Sequence, residues 1–426
     1  MIDIDLIRKD PEQLRASVRR RGGNESSVDA LIALDNEWRE ATERVDALRK
    51  KQKELSANRN IEAAKVNKEE IKKEEVLLNE VASARQTAWR LLPNILADDV
   101  PDGKDDSENV VLRKWGSVPP VVFPPKDHLA LGEALGIIDM AKAAEISGAR
   151  FYYLKGDAAL LEFALVTHAM RRLTNREWLR PIAERAGVSD KPFIPVVPPV
   201  IIKPETYIRM ARLTPGVDED ERYYLPQDNQ YLVGSAEHSL GPLHMDETLP
   251  ADSAPIRYVG FSTCFRREAG SYGKDTRGMI RVHQFDKVEM ESFTTSALGI
   301  AEQNFFVGIQ EALLQELGIP HEVIAVCTGD MGSPDARQLD INCWLPAQQT
   351  YRETHSADYM ADFQARRLGT RLKTAAGNEF AHMNDGTVFA ISRMVVAILE
   401  NFQNEDGSVT IPEVLRDFMG KDTIAA

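Results

Sequence analysis

The chain has 426 residues, 43% of them hydrophobic, which is enough for two or three domains with a sizeable core. Its formal net charge of −14 excludes a general nucleic-acid-binding surface, so any nucleic-acid partner has to meet a local basic patch. The only cysteines, Cys264, Cys327 and Cys343, have no CxxC spacing, which excludes a disulfide framework and a structural zinc site.

The opening MIDIDLIRKD lacks a basic segment followed by an apolar run, and no later stretch approaches the ~18 uninterrupted apolar residues of a membrane span. A cytoplasmic location away from membranes is the expectation. From Leu31 the positions Leu31, Leu34, Trp38, Ala41, Val45, Leu48, Gln52 and Leu55 alternate three and four apart, as the seam of a coiled coil does. A second stripe, Leu77, Val81, Ala84, Ala88 and Leu91, ends before the helix-breaking Pro93. Two helices this close in sequence fold back as an antiparallel hairpin, with the turn expected between Ser56 and Lys65 and a first helix of roughly 40 Å. Such an arm is too thin to hold a pocket. Arg49, Lys50, Lys51, Lys53 and Arg59 cluster toward its tip, opposite Glu69, Glu70, Glu74 and Glu75. The charges alone leave two readings open, a solvated face or a phosphate-binding one.

A Pro-, Asp- and Gly-rich segment, LLPNILADDVPDGKDDSENV, then separates the arm from a region of mixed helices and alternating strands. The boundary is expected near residue 105, giving domains 1–105 and 106–426. FALVTHAMRRL reads as a helix, and FIPVVPPVII, YYLPQDNQYLVGSAE, IRYVGFSTCFRRE and MIRVHQFDKVEMESF read as strands. Strands in succession with few helices between them predict an antiparallel sheet, hence an α+β fold.

Alternation along these strands puts Arg266 and Glu268 on one face and Arg267 on the other. In the returning strand Arg281, His283, Phe285, Lys287, Glu289 and Glu291 share a face opposite Ile280, Val282, Val288 and Met290, and in VGSAE Ser235 aligns with Glu237. MNDGTVFAIS reads as a strand and RMVVAILENFQ as a helix, with Arg393 at their junction. A cation at a helix start opposes the macrodipole, so the position calls for a reason beyond helix stability. Taken singly, each residue has an ordinary structural use: an ion pair, a core ring, a surface cation. Together they line a sheet with arginines, carboxylates and one aromatic ring, which suits a nucleoside triphosphate beside a small zwitterion. No GxxxxGK[ST] loop, no GxGxxG after a strand, and no HIGH or KMSKS signature is present.

Six segments, GARFYYLKGDAALLEFAL, PVVPPVI, FRREAGSYGKDTRGMIRVHQFDKVEM, CTGDMGSPDARQLDINCWLP, DFQARR and GTVFAISRMVVAILEN, jointly resemble the bacterial-type seryl-tRNA synthetases, class II enzymes with an N-terminal coiled-coil arm. The resemblance extends over nearly the whole chain. It implies a class II antiparallel sheet flanked by helices, and a homodimer with the region near Pro199 at its interface. It implies ATP and Mg²⁺ as the nucleotide and its metal. The implied reaction activates L-serine to seryl-adenylate and transfers the seryl group to the 3′-terminal ribose of tRNA(Ser), with tRNA(Sec) as a further candidate.

Residue by residue, the resemblance assigns Arg266 to the α-phosphate and Arg393 to adenine and the γ-phosphate, these two as the catalytic pair. Glu268 goes to the adenine amino edge and Phe285 to stacking. Arg267, Val282, Glu353, Thr354, His355 and Ser356 complete the ATP-binding set, with Glu353 and Ser356 on the metal. Ser235, Ala236, Glu237, Arg266, Glu289 and Thr387 form the serine-binding set. The resemblance also turns Arg49, Lys50, Lys51, Lys53 and Arg59 into candidate contacts to the tRNA backbone. The chain departs from the pattern at Arg267, Tyr272, Ser235, ETHSADY (with His355 and Asp358) and Asp385, where serine, a small residue, threonine, EISSCSN and asparagine are usual. The arm is also short. Two rivals follow: a paralogue that charges a carrier protein, which would have no use for an arm, and an inactive relative, which would have no use for Arg266, Glu268, Phe285, Glu289, Glu353 and Arg393 together.

Overall fold

The computed structural model describes residues 1–118, 122–269 and 278–425, so Tyr272 and most of the AGSYGKDTRG loop lie outside the described residues. The chain forms two compact units, Met1–Leu96 and Ala97–Ala426. The break falls inside the Pro/Asp/Gly-rich segment, ahead of the boundary expected near residue 105, because the part of the segment from Ala97 onward is hydrogen-bonded into the second unit. The Ala97 amide donates to the Ala336 carbonyl (2.9 Å), the Thr328 amide to the Pro101 carbonyl (3.0 Å) and the Cys327 amide to the Asn109 side chain (2.8 Å).

In the first unit two short helices, Ile4–Lys9 and Pro11–Arg20, precede the long pair α1 (Ser26–Ala57) and α2 (Ile61–Leu91). The reversal at Asn58–Asn60 lies inside the expected turn, and α2 stops ahead of Pro93. The α1 seam is the expected one, every position from Leu31 to Leu55 being buried or half-buried. The α2 seam is not: Leu77, Ala84 and Leu91 are exposed, and the inward positions are Asn67, Ile71, Glu74, Leu78, Val81, Arg85 and Ala88. Apolarity alone selects the wrong row because three seam residues are polar and matched across the hairpin. Asn67 donates to the Leu48 carbonyl (3.0 Å) and to Gln52 (2.8 Å), Glu74 pairs with Arg44 (3.0 Å), and Arg85 pairs with the buried Asp35 (2.7 Å).

The second unit is built on one eight-stranded sheet: β1 (Val110–Trp115), β2 (Ile194–Val196), β3 (Ile256–Phe265), β4 (Gln284–Thr294), β5 (His321–Ala325), β6 (Arg337–Leu345), β7 (Thr350–Ala361) and β8 (His382–Ala390). Their order is β1-β5-β6-β7-β8-β4-β3-β2, antiparallel throughout except between β2 and β3. The prolines of FIPVVPPVII hold β2 to three residues, since each removes a ladder donor.

One core lies between the sheet and the helices α3 (Asp157–Leu173), α4 (Gly299–Leu317) and α5 (Ile391–Asn401). Val288 and Met290 enter it while Lys287 and Glu289, on the same strand, face the other way, as alternation requires. Gly386 lets α4 lie close on β8, because a Cβ there would stand 3.0 Å from Phe306.

Arg257 on β3 and Glu302 on α4 form an ion pair with both side chains fully buried, Nε 2.9 Å from Oε2. Arg257 also donates to the Ser189 and Lys191 carbonyls (2.8 and 2.7 Å). Glu302→Ala strands a buried guanidinium and is expected to cost about 3–5 kcal/mol, read as a lowered Tm or denaturation midpoint. An unchanged midpoint would show that the two carbonyls suffice. Among the described residues no helix is long and apolar enough to cross a membrane.

Candidate active site

The site opens where two neighbouring strands part. β7 and β8 pair only from Ala357↔Gly386 to Ala361↔Met383, and before Ala357 on β7 and after Gly386 on β8 they splay. The Ser356 and Thr387 carbonyls, left without ladder partners by the splay, both accept from the Gln310 side chain of α4 at 2.8 Å. Gln303, also on α4, donates to the Ala357 carbonyl of β7 and the Arg337 carbonyl of β6 (2.8 and 2.9 Å). A buried amide thus satisfies the backbone where the sheet opens, and the gap becomes a cleft.

One end of the cleft collects the predicted nucleotide residues. β3 ends at Phe265, and Arg266 follows in irregular backbone, its amide donating to the His283 carbonyl (3.0 Å) and its Nε to the Gly234 carbonyl (3.0 Å). The guanidinium sits 5.4 Å from the centre of the Phe285 ring, which lines the cleft. Glu268 turns back through a left-handed conformation (φ 52°) and accepts from Arg281 Nη1 at 2.9 Å. Arg393, in the first turn of α5, donates from Nη1 to the Glu353 carboxylate (2.8 Å) and carbonyl (3.0 Å), bridging the splayed strands. The cation that opposes the helix dipole is therefore held by a carboxylate.

On β7 a bulge at Thr354, between the pairs Ile341↔His355 and Asn342↔Glu353, brings Glu353 to the cleft alongside Thr354 and Ser356. Oxygen donors of this kind suit a hard divalent cation. Nearby Asp340 is pushed up to about 8, first by burial and then by the charge of Glu353, while desolvation of Glu353 in the cleft is outweighed by its partner Arg393, which holds it below its usual range. The residues present fit Mg²⁺.

The other end is lined with acids. Glu237, Glu289 and Asp385 hold carboxylate oxygens within 4.8 Å of one another, all three buried. Two cations face them. Lys287 Nζ lies 2.6 Å from Glu289 Oε2 and donates to Ser235 Oγ (3.2 Å), and Arg212 Nε lies 2.9 Å from Glu237 Oε1. Burial pushes Glu289 up to about 7 against the pull of Lys287. Burial also raises Glu237, but Arg212 and a hydrogen bond from His238 more than offset it and hold this carboxylate well below its usual range. His238 Nδ1 accepts from the Gly234 amide (3.0 Å), so its proton is on Nε2, 3.2 Å from Glu237. Burial keeps that imidazole neutral, with a pKa of about 4. Thr387 reaches Glu289 at 3.5 Å. With two cations already among three carboxyls, this end suits an ammonium better than a metal ion.

The structure brings Arg266, Glu268, Val282, Phe285, Glu353, Thr354, Ser356 and Arg393 together with Glu237, Glu289 and Thr387 along one cleft. It corrects several expectations. VGSAE is not a strand: β-structure ends at Leu232, and Ser235 and Ala236 form a turn into the short helix Glu237–Leu240. Ser235 still reaches Lys287, but Ala236 is buried in apolar packing and offers no side-chain contact to a ligand. The returning strand begins at Gln284, so Ile280 and Val282 are freed from alternation and also line the cleft. Arg267 lies outside it, stacked 5.6 Å from the Tyr223 ring centre, because its amide is bound by the Glu221 carbonyl. His355 is on the reverse face of β7, 1% exposed, with its ring edge against Phe389. Arg49, Lys50, Lys51, Lys53 and Arg59 are exposed on the arm, and Arg49 is paired with Glu75 at 2.8 Å. Arg212 gives no signal in the sequence: it lies in an irregular segment without periodicity, and its partner Asp385 is 173 residues away.

Comparison with known proteins agrees with this geometry. The model of the tRNA synthetase class II core domain (G, H, P, S and T) matches residues 222–402, and that of the seryl-tRNA synthetase N-terminal domain matches residues 1–96. The serine–tRNA ligase of Acidothermus cellulolyticus is 44% identical over 434 residues, spanning 100% of this chain and 99% of its own. The chain belongs to the seryl-tRNA synthetase family. A Pyrococcus horikoshii seryl-tRNA synthetase crystallised with ATP superposes with a TM-score of 0.90 at 34% identity, over 100% of this chain and 99% of the other. A cytoplasmic serine–tRNA ligase from Naegleria fowleri, in complex with AMP, superposes with a TM-score of 0.85 at 28% identity, over 100% and 98%.

Proposed function

We propose that this protein activates L-serine with ATP and transfers the seryl group to the 3′-terminal ribose of tRNA(Ser), with tRNA(Sec) as a second acceptor. The observation that carries the reading is one cleft whose arginines and aromatic ring adjoin the clustered carboxyls of Glu237, Glu289 and Asp385. The serine carboxylate, ionised at neutral pH, attacks the α-phosphorus; a new O–P bond forms and pyrophosphate leaves with the electrons of the broken one. No general base is needed. Arg266 neutralises the α-phosphate, Arg393 the γ-phosphate and one adenine face, Phe285 stacks on the base, and Glu268 accepts from its amino group. Mg²⁺ held by Glu353 and Ser356 would supply further charge neutralisation on the phosphates. Holding both reactants in line supplies about 7–11 kcal/mol of the barrier in a well-aligned site.

Glu237 and Glu289 take the serine ammonium and hydroxyl with Ser235 and Thr387. Alanine would leave those buried groups unpaired, which is how such a site rejects it. The tRNA is gripped by the residues preceding the catalytic domain and the seryl group transferred within it. Homodimerisation near Pro199 is supported by the exposure of Ile194, Val197 and Ile201 around it, and a cytoplasmic setting by three buried, unbridged cysteines. The test is amino-acid-dependent ATP–pyrophosphate exchange with each of the amino acids in turn. Serine alone is expected to give strong exchange, and strong exchange with alanine or glycine would overturn the substrate.

A further inference from the structure

We propose that Arg212 is a specificity-determining residue of the amino-acid end of the cleft: wedged between Glu237 and Asp385, it supplies the positive charge that makes this end accept a neutral side chain and refuse one bearing a second ammonium. The inference rests on the reading of Ser235, Glu237, Glu289 and Thr387 as the serine pocket.

The placement of Arg212 is built, not incidental. Its Nε is 2.9 Å from Glu237 Oε1 and its Nη2 donates to Asp385 Oδ2 at 2.9 Å, so one planar fork spans two acids from different parts of the chain. The side chain is 15% exposed and lines the cleft. Its backbone is fixed on both sides: the Arg212 amide donates to the Tyr207 carbonyl (3.2 Å), and its own carbonyl accepts from Arg222 Nη2 (3.1 Å).

Glu237, Glu289 and Asp385 crowd within 4.8 Å, and of the two cations among them Lys287 is occupied by Glu289. Arg212 is therefore the one guanidinium that Glu237 and Asp385 share. Without it Glu237, hydrogen-bonded by the neutral His238, is short of a paired cation, and a ligand ammonium becomes the best available replacement. 2,3-Diaminopropionate is serine with the hydroxyl replaced by an amine, so it tests charge at nearly constant shape. In the wild-type pocket its second ammonium meets the guanidinium; in Arg212→Gln it meets Glu237 without its cation.

The experiment compares serine with 2,3-diaminopropionate in pyrophosphate exchange for wild type, Arg212→Gln and Arg212→Lys, with KM for ATP and Tm measured alongside. Arg212→Gln is expected to shift the ratio of kcat/KM for the two substrates by about 30-fold toward diaminopropionate, with KM for ATP within about threefold of wild type. Arg212→Lys keeps the charge but reaches one acid only, so it should keep the wild-type ratio while raising KM for serine about tenfold. A merely structural role would lower exchange with both substrates and leave their ratio alone. An unchanged ratio in Arg212→Gln, or an Arg212→Lys protein that selects as Arg212→Gln does, overturns the assignment. If Arg212→Gln does not fold, Arg212→Met, which also removes the charge, takes its place: the same shift in the ratio supports the assignment and an unchanged ratio overturns it. Absence of serine-dependent exchange in the wild type would instead fail the underlying reading of the pocket.

Discussion

Arg266→Ala should lower serine-dependent pyrophosphate exchange by about 1,000-fold or more, because one guanidinium is asked to neutralise the reacting phosphate and meet the attacking carboxylate. The geometry says why no neighbour takes over. Arg393, beside Glu353, is assigned to the γ-phosphate and Arg281 is paired with Glu268, while Arg267 points away to Tyr223. Arg266 alone has its Nε anchored to the Gly234 carbonyl and its guanidinium beside the Phe285 ring. Arg266→Lys keeps a charge but loses the fork and the stacking, so it should recover only part of the loss. The loss should appear mainly in kcat, since the charge it opposes grows as the new O–P bond forms. A folded alanine variant within about tenfold of wild type would mean that the α-phosphate is neutralised elsewhere, and the assignment of this end of the cleft would have to be redrawn.

Much of the site was legible because strand alternation is rigid. Lys287 and Glu289 had to face away from Val288 and Met290, and they do. The same rule misled where the strand was not there. Ser235 and Glu237 reach the pocket through a turn and a short helix, and Arg266 and Glu268 through backbone beyond the end of β3, with Glu268 in a left-handed conformation that alternation does not describe. His355 illustrates the opposite failure: family likeness put it at the nucleotide, while its place one residue past a bulge puts it into the core. Arg212 carried no local signal. It joins the site only through Glu237 and Asp385, and long-range ion pairs leave no period in a sequence. On the arm, apolar spacing found α1 but mistook the row on α2, where Asn67, Glu74 and Arg85 are inside because each has a partner on α1.

The arm carries the second large expectation. Lys50, Lys51 and Lys53 lie off the seam Leu48–Gln52–Leu55 and are exposed, whereas Arg49 already holds Glu75. Three exposed ammonium groups on one stretch of helix make a local positive patch on a chain of net charge −14, the feature a polyanion needs. Replacing the three lysines with glutamate should raise KM for tRNA by about 100-fold or more, while exchange, which needs no tRNA, stays within about twofold of wild type. The dependence of tRNA binding on salt should flatten, by about one unit in the log–log slope for each phosphate that is no longer neutralised. Arg49→Ala should do less than any one of the lysine reversals, because freeing Glu75 adds a negative charge but removes a guanidinium already spoken for. A triple variant that aminoacylates normally, with an unchanged salt slope, would return these lysines to the role of a solvated coiled-coil face and move the grip on the RNA elsewhere.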